Sequence, residues 1–280
     1  MRTAFVVLTY NRSDALLAVL RGLAAQCGPD DAVVIADDGS RSEHVQALKQ
    51  GLPRFACPVR HVWHPDTGFT AARARNLGAA HADADYIVFM DGDCVPNPHF
   101  VRHHKLLAAP GFFVNGSRVL LSERLSAQVA AGRVDLQGLR AADWLRLRLS
   151  GDVNKLAQLV RWPGAPLRTE TRFRWKGIRS CNFGVWYGDL RAVNGFDESF
   201  SGWGHEDADL VLRLHNHGNG RRNGFFGTEV FHLWHRENSR GNEGVNRERV
   251  LQRQGSGIVR AQAGLDDAVN ANDAIAIELN

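Results

Sequence analysis

The regular exchange of β-branched apolar runs for helix-like runs over the first hundred residues limits the fold of this 280-residue chain more than any other feature. TAFVVLT (Thr3–Thr9) reads as a strand, and Asn11, Ser13 and Asp14 after it are helix-start residues. DALLAVLRGLAAQ then carries apolar residues at helical spacing. AVVIAD (Ala32–Asp37), VRHVW (Val59–Trp63) and DYIVFMD (Asp85–Asp91) read as further strands, with helices expected over 43–51, 70–82 and 98–108. The last of these strands is almost wholly apolar, as suits a central strand covered on both faces. The rhythm predicts an α/β fold of Rossmann-like type: a mainly parallel sheet with right-handed crossovers and helices on both faces.

Ligands of such sheets bind beyond the carboxyl ends of the strands. The polar groups fall there: Thr9-Tyr10-Asn11, Asp37-Asp38, His64-Pro65-Asp66 and Asp91-Gly92-Asp93. After residue 110 the rhythm breaks. FFVNGSRVLL reads as one or two strands, 122–162 as largely helical, and EVFHLWH as the end of a strand. The last thirty residues show little periodicity and read as a loosely packed tail. Residues 1–110 are therefore expected to form a nucleotide-type half, 111–250 a half that completes the site, and 251–280 a tail.

Composition removes several classes. Lys and Arg exceed Asp and Glu by 34 to 30, a net charge of +4, which admits an anionic small ligand or an anionic membrane surface. No nucleic-acid motif accompanies that charge, so no nucleic-acid partner is expected. Cys27, Cys57, Cys94 and Cys181 lack CxxC spacing, which excludes a zinc ribbon and points to reduced thiols in a cytosolic protein. The start MRTAFVVLTYN does not read as a signal peptide, and no run approaches the ~20 apolar residues of a spanning helix. A Leu/Trp stripe (Trp144, Leu147, Arg148, Trp162) could face a membrane, but such spacing more often marks core.

The chemistry-bearing motifs are acidic. In DGD, Asp91 and Asp93 can share a divalent cation, or one can hold the cation and the other a ligand hydroxyl; Mg²⁺ and Mn²⁺ suit such oxygen donors. The plain alternative is an acidic turn. DDGS (Asp37, Asp38) can be a turn or can accept a base N–H. In GFTAARARNLG, Arg73 and Arg75 beside a helix start suit a diphosphate, or a solvated face. HLWH (His232, His235) can complete a metal shell, His235 first. GWGHEDADLVLRL gathers His205, Glu206, Asp207 and Asp209 at a helix start. Dipole stabilisation and an Asp209–Arg213 pair explain one or two of these acids, but not all of them. GxxxxGK[ST] and GxGxxG are both lacking.

Together, LTYNR, ADDGS, ARARNLG and FMDGDC resemble the nucleotide-binding half of family-two glycosyltransferases with the GT-A fold. NGFDESFSGWGHEDADLVLRL followed by FHLWH resembles the C-terminal segment of the galactosyltransferase and N-acetylgalactosaminyltransferase group. The resemblance covers about residues 3–110 and 179–240. It implies Asp93, His235 and His232 at Mn²⁺ or Mg²⁺, Asp91 near the ribose or metal, and Asp37 or Asp38 at the uracil with Thr9, Tyr10 and Asn11. Arg73 and Asn76 belong to the nucleotide-sugar site in this reading. Asp207 is the general base, Glu206 a sugar contact and Trp203 a packing surface. The helix dipole is expected to lower the Asp207 pKa and keep it ionised. His205 stands where many relatives have Gly.

The implied protein is a metal-dependent, inverting hexosyltransferase acting on a UDP-sugar and a glycan or glycolipid acceptor. Its setting would be bacterial surface polysaccharide or lipopolysaccharide synthesis, in the cytoplasm or at the cytoplasmic membrane face. A sugar-phosphate nucleotidyltransferase would want a Gly-rich, basic N-terminal loop, which LTYNRSD is not. A non-catalytic sugar-binding subunit would have no need of intact DGD and ED acids.

Overall fold

Successive side chains of an extended strand point to opposite faces, so an apolar strand can feed two cores at once. The computed structural model, which describes residues 1–236 and 241–280, shows both cores filled. Strand β1 (Thr3–Thr9), helix α1 (Ser13–Ala24), β2 (Asp31–Asp37), α2 (Ser42–Gly51), β3 (Val59–Trp63), α3 (Ala71–Ala80) and β4 (Tyr86–Asp91) follow the expected order. β2 and β4 flank β1 and β3 lies beyond β2, all parallel. Phe5, Val7, Ile35, Val88 and Met90 pack on one face with Leu16, Val19 and Leu20 of α1. Ala4, Val6, Val34, Ile87 and Phe89 pack on the other with Leu77 of α3.

The chain continues through β5 (Cys94–Pro96), α4 (Phe100–Leu107), β6 (Phe112–Asn115), β7 (Arg118–Leu120), α5 (Glu123–Ala130), α6 (Ala141–Leu149) and β8 (Thr169–Glu170). Then come β9 (Asn182–Trp186), α7 (Tyr187–Ala192), α8 (Glu206–Asn216), β10 (Gly220–Asn223), β11 (Val230–His232), α9 (Glu243–Arg253), α10 (Leu265–Val269) and β12 (Ile275–Glu278). One nine-stranded sheet runs β12-β3-β2-β1-β4-β9-β6-β10-β8. β9 lies antiparallel between β4 and β6, so the sheet passes from the first half into the second without interruption. A second, three-stranded sheet runs β5-β11-β7 and sets His232 opposite Cys94.

Two expectations change. Residues 122–162 are not a long helical stretch but α5, α6 and a single 3₁₀ turn at Ala157–Leu159. Gly132 and Gly151, with φ of 70° and 77°, directly follow the α5 and α6 caps and stop them. The Leu/Trp stripe takes the core reading at Trp144, which is buried and stacks on Phe231 at 4.7 Å, while Trp162 is exposed. Residues 251–280 are not a loose tail either. Leu265 and Ala268 enter the core beside α3, and β12 pairs antiparallel with β3. Asn280 clamps that edge by accepting the Val59 N–H and donating to the Cys57 carbonyl. The β12 side chains are exposed, so the strand is held by backbone pairing that leaves no apolar pattern in the sequence.

Candidate active site

β4 ends at Asp91 and turns at once into β5. The turn presses against the end of β1: Gly92 N–H donates to Leu8 O at 2.6 Å, and a Cβ at Gly92 would lie 2.8 Å from that oxygen. Only glycine permits this approach. The β5–β11 pairing then brings HLWH to DGD. Leu233 N–H donates to Asp93 O at 2.8 Å. His232 Nε2 lies 3.7 Å from Asp93 Oδ1, and His235 Nε2 lies 3.4 Å from Oδ2. Cys94 Sγ is 3.5 Å from the same carboxylate.

These donors fit a divalent cation. The Nδ1 of His235 lies 2.9 Å from Arg236 O, which can only accept, so in the neutral ring the lone pair sits on Nε2 and faces Asp93. Two acceptors meeting at that distance are satisfied by a shared cation. Burial pushes the His232 pKa down, against the pull of Asp93, and leaves that imidazole neutral as a ligand must be. One carboxylate and two imidazoles suit Mn²⁺ well and Mg²⁺ less so.

The ED block arrives from the other side of the sheet. Gly202, Gly204 and His205 all take left-handed φ, at 72°, 101° and 70°, and this tight turn launches α8 at Glu206. Buried Arg75 on α3 bridges the two acidic motifs: its Nη2 is 3.0 Å from Asp91 Oδ1 and its Nη1 3.1 Å from Glu206 Oε1. The expected Asp209–Arg213 pair forms at 2.7 Å, wholly buried, and Arg253 of α9 adds a second contact to Asp209 at 2.6 Å. That network fixes the helix that carries Glu206 and Asp207.

Asp207 corrects the dipole argument. Burial, and after it the neighbouring charge of Glu206, raise its carboxyl to about 7. Arg75 and the N–H groups of Ala208 and Ser180 oppose the shift without cancelling it. Desolvation outweighs the helix terminus here because the acid is enclosed by protein, whereas the dipole is a modest term of about 0.3–1 kcal/mol at exposed sites.

Arg73, Asn76 and the DDGS acids have partners of their own. Arg73 lies two residues, or roughly 200° of helix, from Arg75 and pairs with Glu198 and Asp273. Fully buried Asn76 binds the backbone of Phe196 on both its donor and acceptor sides. The Asp37 carboxylate is closed by Ser40 N–H and His61, each at 2.8 Å. Asp38 is closed by Thr70 N–H at 3.0 Å, the Thr70 hydroxyl and His64. Thr9 is buried and its carbonyl accepts Asp38 N–H. Tyr10 is half-exposed with its hydroxyl on Asp66 at 2.8 Å, Asn11 caps Arg41 N–H, and Trp203 is 37% exposed on the GWGH turn. Arg12, the last residue of LTYNR, also reaches the cluster. Its Nη1 approaches Asp93 at 4.0 Å and has no hydrogen-bond partner among the described residues.

Comparison with known proteins agrees with this architecture. The profile of "Glycosyl transferase family 2" matches residues 4–111, and that of "N-terminal domain of galactosyltransferase" matches 167–235. A validoxylamine A glucosyltransferase of Streptomyces hygroscopicus subsp. limoneus is 30% identical over 233 residues, 76% of this chain and 48% of that protein. The chondroitin synthase of Escherichia coli is 26% identical over 77% of this chain and 32% of its own length. The chain thus spans about half or less of the curated relatives it matches. Among solved structures, S. aureus TarS 1-349 in complex with UDP-GlcNAc aligns with a TM-score of 0.56 at 13% identity, over 96% of this chain and 69% of that one. A mannosyltransferase of Pyrobaculum calidifontis in complex with GDP-Man and Mn²⁺ gives 0.56 at 15% identity, over 95% and 68%. Residues 4–111 thus carry a family 2 glycosyltransferase segment and residues 167–235 a galactosyltransferase one, on the GT-A fold of the solved glycosyltransferases.

Proposed function

We propose that the protein transfers a hexose from a UDP-sugar to a hydroxyl of a glycan or glycolipid acceptor, with inversion and with the help of a divalent cation. The observation that carries this reading is the Arg75 bridge, which joins the DGD strand end to the ED helix start within one cluster. Asp93, His232 and His235 would hold Mn²⁺ or Mg²⁺, which supplies charge neutralisation for a leaving diphosphate. Arg12 adds a fixed positive charge beside them. The uracil would lie along the Thr9–Asn11 strand end against the exposed Tyr10 ring, and Trp203 would pack on the sugars.

Asp207 takes the proton of the attacking acceptor hydroxyl. A base with a carboxyl raised to about 7 is well matched to proton transfer near neutral pH. Glu206, held by Arg75, contacts the donor sugar and keeps that neighbouring pKa high. A single in-line displacement inverts the anomeric carbon. Residues 1–110 would serve the donor and 111–250 the acceptor, at the cytoplasmic face of a bacterial membrane. Named relatives support the class: glucosyltransferase and chondroitin synthase for hexose transfer, and a UDP-GlcNAc complex for the donor.

The test is Asp207→Asn assayed for transfer and for UDP binding. Loss of transfer by ~10³-fold with intact binding is expected; full activity in this variant would contradict the assignment, and a retained anomeric configuration by NMR would contradict inversion.

A further inference from the structure

Beyond the catalytic cluster, positive charge is concentrated at the far edge of the main sheet. A cavity of about 160 Å³ is lined by Glu170, Arg174, Lys176, Arg221 and Asn223. Three cations face one carboxylate, whose Oε1 accepts the Arg172 N–H at 3.2 Å and whose Oε2 stands 4.0 Å from Arg174 Nη1. Arg221 projects from β10 at the position paired with Glu170 of β8. Its Nη1 donates only weakly, to Lys176 O at 3.3 Å, and its Nε is buried without a hydrogen-bond partner among the described residues. A guanidinium with a buried unmet donor is costly unless something accepts from it. Burial and the nearby charges of Arg174 and Arg179 depress the Arg221 pKa and Glu170 offsets them only in part, so the local charge is net positive.

The same loop meets the catalytic turn. Trp175, between Arg174 and Lys176, packs its ring on His205 with centroids 5.6 Å apart, directly before the ED acids. The cavity therefore adjoins the catalytic turn through one residue of one loop, on the side of the sheet that 111–250 builds.

We propose that Arg174, Lys176 and Arg221 form a binding site for an oxyanion carried by the acceptor. The ligand class is an acidic glycan or a phosphorylated or sulfated acceptor. Assignment to the acceptor rests on the transferase reading; the oxyanion site itself does not. Two guanidinium forks and an ammonium suit a carboxylate, sulfate or phosphate group, and Asn223 lines the same cavity.

The full chain, loaded with UDP and Mn²⁺ so that the catalytic cluster is filled, is titrated calorimetrically with sulfate and separately with glucuronate. At least one of them is expected to bind at one further site. Its affinity is expected to fall about tenfold in Arg221→Gln and in Lys176→Gln, each retaining UDP binding. Sulfate binding favours a phosphorylated or sulfated acceptor, and glucuronate binding an acidic sugar. Binding of neither, or equal binding in both variants, overturns the proposal. Failure of UDP and Mn²⁺ to bind would instead count against the transferase reading, and titration of the unloaded chain would then decide the cavity alone. Lys176→Gln keeps the test valid if loss of Arg221 disturbs the sheet edge.

Discussion

Two acidic pairs end adjacent regions of the same parallel sheet, and they differ in almost everything except sequence appearance. Asp37 and Asp38, after β2, are 2% and 4% exposed, and their partners are His61, Ser40, His64 and Thr70 within 32 residues. Asp91 and Asp93, after β4, have side chains 31% and 16% exposed. Their partners include Glu206-bound Arg75 and the distant His232 and His235. The first pair is satisfied by local structure and holds the β2 turn together. The second is only partly closed: Asp91 is tied to Arg75 of its own half, and Asp93 faces His232 and His235 of the other half at 3.7 and 3.4 Å. An acidic strand end becomes a site when its carboxylates are left open by the fold that surrounds them.

That contrast can be broken by substitution. Asp93→Ala should reduce metal-dependent UDP binding by about a hundredfold, as loss of a metal ligand does, while leaving the thermal midpoint nearly unchanged. Asp37→Ala should do the reverse, costing about 3 kcal/mol by stranding His61 and the Ser40 N–H, as seen by urea unfolding. Equal stability losses in the two variants would erase the distinction. The ED helix sharpens it further. Activity should rise as pH climbs through about 7, where Asp207 ionises. Glu206→Gln removes the like charge that lifts Asp207, so the acid limb should move to lower pH by about one unit, whatever happens to kcat. An unmoved limb would remove Asp207 from the proton transfer. The linkage sign follows: a carboxyl raised on folding favours the fold below its ordinary value, and this contribution is lost as pH rises through about 7. Smallest of all, His205→Gly relieves a left-handed φ of 70° and should stabilise by about 1 kcal/mol, less the lost contact with Trp175, seen as a higher thermal midpoint.

Much of this was legible beforehand. The strands β1 to β4 announce themselves because their apolar residues are buried on both faces, and DGD and HLWH stand at strand ends in the sequence as in the fold. Three things were not legible. Arg73 and Arg75 look alike in ARARNLG, and only the helical phase of α3 against the sheet decides that Arg75 reaches the acids. The direction of the Asp207 shift depends on enclosure by residues far away in the chain. β12 joins the sheet through backbone pairing and Asn280, neither of which leaves a hydrophobic pattern.

The central claim is that Asp93 and the HLWH histidines, not the DDGS acids, gate donor binding through a cation. The measurement that tests it most directly is calorimetric titration of UDP, with and without Mn²⁺, into the unsubstituted chain, Asp93→Ala and Asp37→Asn. Mn²⁺-dependent binding that is lost in Asp93→Ala and kept in folded Asp37→Asn is the expected result. Binding that ignores Mn²⁺, or survives Asp93→Ala unchanged, would contradict the account.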